Sequence, residues 1–401
     1  KREIMEAYLF DWLNMFFRWI HVITGVAWIG ASFYFVWLDL SLREPPQWKK
    51  DKGIKGDLWA IHGGGIYEVA KYQLEPEKMP KTLHWFKWEA YTTWLTGFTL
   101  MSVMYYWGAD QYLIDPSKMD LTQWQAIGIS MAFLVGGFVF YEALVKSPLQ
   151  KFPKVFGAIL FSGLIFAAYA LGEIFSDRAA YLHVGALIGT IMAGNVFFGI
   201  MPAQRELVRA IEAGEKPDTK PAEFAKLRST HNNYFTLPLI FIMISNHYPM
   251  TYGHEHAWLV LALICFNAAF VRHYFNLKHQ GNHQPWILGV GTLMLFAIVG
   301  YMIPKPVNVT ESNQVSDQRV VEISEARCAS CHAQAPTNAA FTAAPGGVLL
   351  ETAEQLHVNK ARIIPALQTN YMPLGNMTNM TEEERSEMII WASQGEKTHS
   401  M

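Results

Sequence analysis

The chain has little cysteine and little charge. Its 401 residues include three cysteines, and 16% are charged, for a formal net charge of −2. So few cysteines exclude a disulfide scaffold and a four-cysteine zinc site. A near-neutral balance without a basic run gives no footprint for nucleic acid. The first apolar stretch is too long for a cleavable signal peptide and lacks a small-residue cleavage site, so it is expected to act as an uncleaved targeting segment. Apolar residues stand where charge is missing. The chain is 51% hydrophobic and 14% aromatic, more than an ordinary soluble enzyme of this length carries.

Long apolar runs hold the excess, at residues 10–38, 86–108, 122–145, 154–174, 179–202, 233–249, 256–277 and 285–303. Each is close to or above the ~20 residues that cross a bilayer, which predicts an all-α, polytopic bundle of about eight transmembrane helices in a lipid bilayer. Gly136-Gly137 in the third run and Gly185 with Gly189 in the fifth predict close helix approach.

Two of the three cysteines fall in Cys328-Ala-Ser-Cys331-His332. Thiols at this spacing add to the two vinyl groups of a haem while the adjacent imidazole ligates iron, so the motif reads as c-type haem attachment. Tyr371-Met372-Pro373 precedes Thr381-Glu-Glu-Glu384, a capping box that opens a last helix running to about Ser393. The pattern predicts a small class I cytochrome c domain over residues 318–401, with Met372 as sixth ligand and Met377, Met380 and Met388 as rivals. Residues 304–317, after Pro304 and Pro306, read as a linker, and residues 1–303 as the membrane domain.

Covalent haem attachment takes place outside the bacterial cytoplasm, which puts the tail in the periplasm and, with an even number of spans, the N-terminus there too. The charged loops agree. Arg43, Lys49, Lys50, Lys52, Lys55, Lys71, Lys78, Lys81, Lys146, Lys151, Arg205, Arg209, Lys216, Lys220, Lys226, Arg228 and Lys278 fall on the inner side, whereas Lys1, Arg2, Lys118 and Arg178 fall outside. The expected location is the bacterial inner membrane.

On a helical wheel of the first span, Asp11, Asn14, Arg18, His21, Gly25, Ser32 and Asp39 share one face. Arg and His are costly against lipid, so this face should meet the bundle interior, a cavity or a cofactor. His62-Gly-Gly-Gly65 is either a ligand contact or a tight turn, and His183 lies near the outer end of the fifth span. His247, His254 and His256 form an outer rim, and His231, Arg272, His273, His279 and His283 an inner one.

The segments Arg18-Trp-Ile-His21-Val-Ile-Thr-Gly-Val-Ala-Trp-Ile-Gly30, Ile61-His-Gly-Gly-Gly65, Leu83-His-Trp-Phe-Lys-Trp-Glu89 and Met243-Ile-Ser-Asn-His-Tyr-Pro249, with the tail's C-x-x-C-H and Tyr371-Met-Pro-Leu-Gly-Asn376, resemble the membrane-bound urate oxidases of bacteria with a fused cytochrome c domain. The resemblance spans nearly the whole chain. It implies oxidation of urate to 5-hydroxyisourate in purine breakdown, with electrons passed to haem c and on to a respiratory acceptor, a soluble cytochrome or a terminal oxidase, rather than directly to dioxygen. Arg18 or Arg272 would hold the urate anion, and His21, His62 or His183 would move protons. His21 is alternatively a ligand to a b-type haem in the membrane domain. Two rival functions remain at this point, a membrane-anchored electron-transfer cytochrome and a quinol-linked cytochrome c oxidoreductase.

Overall fold

A computed structural model describes residues 2–76, 78–303 and 310–394. The expected linker therefore lies partly, at residues 304–309, outside the described residues. Every apolar run is helical. The helices are α1 (Arg2–Ser41), α2 (Trp88–Met101, continued by a π-helical turn Ser102–Trp107), α3 (Gln123–Lys146), α4 (Pro153–Ile174) and α5 (Asp177–Gly194). Then follow α6 (Lys220–Ser245), α7 (Ala257–His279) and α8 (Trp286–Tyr301). Among the described residues five helical stretches, Tyr8–Ser41, Gln123–Lys146, Pro153–Ile174, Asp177–Glu212 and Ala257–His279, are long and apolar enough to cross a membrane. Three expected spans fall short of that measure. Trp286–Tyr301 is apolar but 16 residues long, α2 is straight for 14 before its π turn, and α6 starts with a polar half.

α5 is the central helix. Ala179, Ala180, Val184, Leu187, Ile188 and Ile191 are all buried on it, among α3, α4 and α6. Two glycines permit this packing. A Cβ at Gly137 of α3 would lie 2.3 Å from Leu187, and one at Gly185 would lie 2.6 Å from Ile242 of α6. Their expected partners, Gly136 and Gly189, face open space and do not take part. Large apolar side chains outside this core, such as Trp19, Val26, Phe166 and Phe296, are exposed, as lipid-facing residues are.

The all-α expectation has one exception. Between α1 and α2 the chain forms an antiparallel hairpin, β1 (Ile54–His62) and β2 (Gly65–Tyr72), closed by Gly63-Gly64 with φ of +58° and +81°. Positive φ at both central residues is what a two-residue hairpin turn needs, and glycine supplies it without strain. The buried Lys49 bonds Asp57 and Glu68 and pins the hairpin at its base.

At the hairpin end of the bundle a polar network is sealed in the core. Arg228 pairs with Glu142 and donates to Asn195 Oδ1 at 2.8 Å, while Asn195 Nδ2 donates to Asn232 at 2.8 Å and to the Tyr141 hydroxyl at 3.0 Å. Asn195 opens a π-helical turn, Asn195–Ile200, through which α5 runs on into Met201–Glu212.

The C-terminal segment has its own core of Val320, Ile323, Leu356, Ile363, Leu367, Met380, Met388 and Trp391. It is built from α9 (Asp317–Arg327), α10 (Ala353–Val358), α11 (Lys360–Gln368) and α12 (Glu382–Ser393). Thr381 caps α12 in a reciprocal box with Glu384, and Glu384 also accepts from Arg327 at 2.9 and 3.0 Å, tying α12 to α9. This unit docks on the end of the bundle opposite the hairpin. Its Leu374–Asn376 turn sits against the short helix Ala109–Tyr112, and Tyr371 packs on the bundle core.

Candidate active site

The polar face of α1 does not serve one purpose along its length. At the hairpin end Asp39 pairs with Lys71 and Lys226. Near the middle, His21 is wedged against α2: its Nδ1 lies 3.0 Å from the Thr93 carbonyl and 3.3 Å from Thr96 Oγ1, and a Cβ at Gly97 would come within 2.7 Å of its ring. One turn towards the docked end, Arg18 opens onto a cavity of about 430 Å³ lined by Asn14, Arg18, Arg178, Asn246, His247, Pro249 and Tyr371. That volume lies within the ~300–1,000 Å³ of small-molecule sites.

The two arginines are held without being neutralised. Arg18 donates Nη2 to Asn14 Oδ1 at 2.9 Å and Nε to the same oxygen at 3.3 Å; Arg178 donates Nε to Asn246 Oδ1. Each guanidinium is thus oriented by a neutral amide, and among the described residues no carboxylate lines the cavity. Arg228, Arg327 and Arg209 elsewhere are all bound to glutamates. Two uncompensated cations facing one half-enclosed space make an anion site, since charge-assisted bonds to an entering anion are stronger than those to neutral partners. His247 is the imidazole on the wall, and Tyr371 closes the cavity from the docked unit. A larger cleft of about 740 Å³ lies among residues 74–76, 79–81 and 211–217, where Glu75, Glu212 and Glu215 outnumber Lys81 and Lys216, and it offers an anion nothing comparable.

Of the residues to which sequence gave an anion-binding or proton-moving role, Arg18, Arg272, His21, His62 and His183, only Arg18 lines this cavity. His183 is buried with both ring nitrogens satisfied, Nδ1 by the Ala179 carbonyl at 2.7 Å and Nε2 by Ser130 Oγ at 2.8 Å, so it is a packing histidine. His62 flanks the hairpin turn, the turn reading of that motif. The hairpin is tied by Lys71 to Asp39, and Asp39 lies about 30 Å along α1 from Arg18 at 1.5 Å per residue. Arg272 is buried at 5% exposure over the Phe33 ring, its Nε on Asn233 Oδ1 at 2.6 Å, away from the cavity. Arg178, Asn246, His247 and Tyr371 join the site instead. The sequence signal was present in two quoted segments, Met243–Pro249 and Tyr371–Asn376, but neither shows its partner.

In the C-terminal unit, Cys328 and Cys331 are free thiols just beyond the end of α9, and burial raises Cys328 to about 11. His332 turns Nδ1 to the Val348 carbonyl at 3.0 Å, which fixes the ring and leaves Nε2 for a ligand bond. Met380 and Met388 are buried in the core of the unit, and Met377 Sδ receives Asn338 Nδ2 at 3.8 Å. Met372 carries no such side-chain bond; its carbonyl accepts from Arg385 at 2.8 Å. Two unpaired thiols, an oriented imidazole and an uncommitted thioether are a donor set that fits a covalent haem.

An apolar helix bundle whose polar interior opens on a two-arginine cavity defines a membrane-type helical protein with a cationic cavity of small-molecule size. Residues 7–303 match the family described as urate oxidase N-terminal, and the chain belongs to that family. It is accordingly a urate-oxidase-related oxidoreductase. No curated protein and no solved structure matches it.

Proposed function

We propose that the protein oxidises urate to 5-hydroxyisourate at the Arg18–Arg178 cavity, as a step of purine breakdown. The observation that carries this reading is the pair of amide-held arginines facing a cavity whose wall includes Tyr371, the residue next to Met372. Urate is a monoanion near neutral pH, and its negative charge is what this cavity lacks. Arg18 and Arg178 bind and orient it. Conversion of the monoanion and one water to 5-hydroxyisourate releases two electrons and one proton. His247, exposed at the cavity, takes the proton. Cys328, Cys331, His332 and Met372 would hold a covalent haem c, which would supply a one-electron acceptor between urate and a respiratory acceptor, a soluble cytochrome or terminal oxidase. The C-terminal unit is thereby periplasmic, and the bundle sits in the bacterial inner membrane with its hairpin on the cytoplasmic side.

The test is anaerobic. Urate added to the oxidised holoprotein reduces the haem absorption bands, and aerobic turnover gives little hydrogen peroxide. Reduction by a quinol but not by urate would move the protein to the quinol-linked class, and reduction by neither would leave a carrier cytochrome. Peroxide formed one-for-one with urate would sink the electron route.

A further inference from the structure

Among the cavity residues, Tyr371 alone comes from the C-terminal unit. Its position is enforced by backbone packing on both sides. A Cβ at Gly253 would stand 1.7 Å from the Thr369 carbonyl oxygen, and one at Gly375 would stand 2.7 Å from that of Ile114. Gly253 has φ −88° and ψ 9°, a conformation open to any residue, so the close approach of the two units, and not the turn, demands glycine there. A unit held only by a flexible tether makes no such contact. The surroundings of Arg178 point the same way. The phenols of Tyr105, Tyr252, Tyr371 and Tyr112 lie within electrostatic reach of its guanidinium. Tyr105 and Tyr252 are buried, with hydroxyls that have no hydrogen-bond partner, behind the wall. Tyr371 is the phenol of the four that lines the cavity itself.

We propose that Tyr371 is a substrate-binding residue contributed by the C-terminal unit: its hydroxyl donates to an oxo group of the bound oxopurine anion, and the site is complete only while that unit is docked. The inference rests on the reading that this cavity holds urate. Binding and docking then favour each other by the same factor, because coupling between two equilibria is reciprocal. An anion that holds the unit in place keeps the substrate and the C-x-x-C-H unit together for as long as the site is occupied.

The experiment measures binding without turnover. Urate is titrated by equilibrium dialysis into chemically pre-reduced holoprotein in detergent, for the wild type, Arg18→Gln, Tyr371→Phe and Gly253→Ala. Thermal unfolding of the C-terminal unit is followed in parallel by haem absorbance, with and without urate. The expected result is about 10- to 150-fold weaker binding in Arg18→Gln and about tenfold weaker binding in Tyr371→Phe and Gly253→Ala. Urate should raise the unfolding midpoint of the C-terminal unit in the wild type and not in Gly253→Ala. Wild-type affinity in both Tyr371→Phe and Gly253→Ala, with binding weakened in Arg18→Gln, would place the whole site in the bundle and overturn the proposal. Weakening in Gly253→Ala alone would remove the hydroxyl from recognition and overturn it as stated. Tyr371→Phe keeps the ring packing and decides the matter should Gly253→Ala fail to assemble. A wild type that binds no urate, or an Arg18→Gln variant that binds it equally well, refutes the cavity reading beneath the proposal instead.

Discussion

Replacing the cavity arginines one at a time is the sharpest perturbation the geometry offers, because a matched control exists in the same bundle. Arg18, Arg178 and Arg272 each donate to an asparagine oxygen, Arg18 Nη2 to Asn14 at 2.9 Å, Arg272 Nε to Asn233 at 2.6 Å, and Arg178 Nε to Asn246. All three are thus uncompensated cations in a helix bundle, but two face the cavity and Arg272 stacks on Phe33. A hydrogen bond to a charged group contributes about 1.5–3 kcal/mol. Arg18→Gln and Arg178→Gln should therefore each raise the urate Kd by about 10- to 150-fold, since about 1.4 kcal/mol is a factor of ten. The double variant should lose less than the product of the two, because both groups hold one ligand and their effects are coupled. Arg272→Gln should leave affinity within about twofold. Equilibrium dialysis against pre-reduced protein at low and high salt is the assay, and added salt should weaken the wild type more than either single variant, since each has one cation fewer to screen. Loss of affinity in Arg272→Gln that equals the loss in Arg18→Gln would show that the arginines act through bundle stability and refute the anion-site argument.

Other expectations follow from named contacts. Cys328→Ala or Cys331→Ala should abolish two-bond haem attachment on a haem-stained denaturing gel, whereas Met372→Ala should keep the haem and lower its potential, as loss of a thioether ligand does. Arg228→Met leaves Asn195 Oδ1 without its buried donor and Glu142 with Lys146 alone, and should destabilise the bundle by about 1–3 kcal/mol in detergent, the cost of an unsatisfied buried polar group. In the C-terminal unit, burial works to raise Glu384, but the Arg327 guanidinium outweighs it and the carboxyl titrates below its usual range. Its folded value is thus lower than its unfolded one, so its contribution is full at neutral pH and is lost as pH falls from the ordinary carboxylate range, about 4.3, through the lowered value. Glu384→Gln should flatten the acid limb of that unit's melting curve.

Local signals carried much of the fold. Apolar run length gave the helices, and Thr381 with Glu384 announced the last one, because a capping box is complete within four residues. The hairpin was harder, since its glycine turn reads equally as a ligand loop until the two strands are seen to pair. The cavity was legible only in part. Arg18 was visible because a single helix displays its own polar face, but Arg178 looked like any charge in an outer loop. Its role appears only when α5 is brought beside α1 and the end of α6. His183 misled for the opposite reason: a histidine inside a helix looks the same whether its nitrogens are free or, as here, taken up by Ala179 and Ser130.

The position of the cavity bears on whether a second haem is needed. With substrate on the cytoplasmic side and the acceptor on the other, the ~30 Å of hydrocarbon between them would demand an intermediate carrier, and His21 was the residue placed to ligate it. Arg18 and Arg178 instead lie at the docked end, in a cavity that Tyr371 enters from the unit bearing Met372, so no carrier has to span the bundle. Haem content decides the role of His21, whose ring packs on α2 at Gly97 with Nδ1 on the Thr93 carbonyl and the Thr96 hydroxyl, an arrangement that, as at His332, leaves Nε2 for a ligand bond. The expected haem content is one per chain, all covalent, with urate reaching the cavity from the periplasmic side. Acid–acetone extraction followed by pyridine haemochrome analysis measures both pools in the wild type and in His21→Ala. An extractable haem that disappears in His21→Ala would restore the transmembrane carrier and, with it, substrate entry from the cytoplasm.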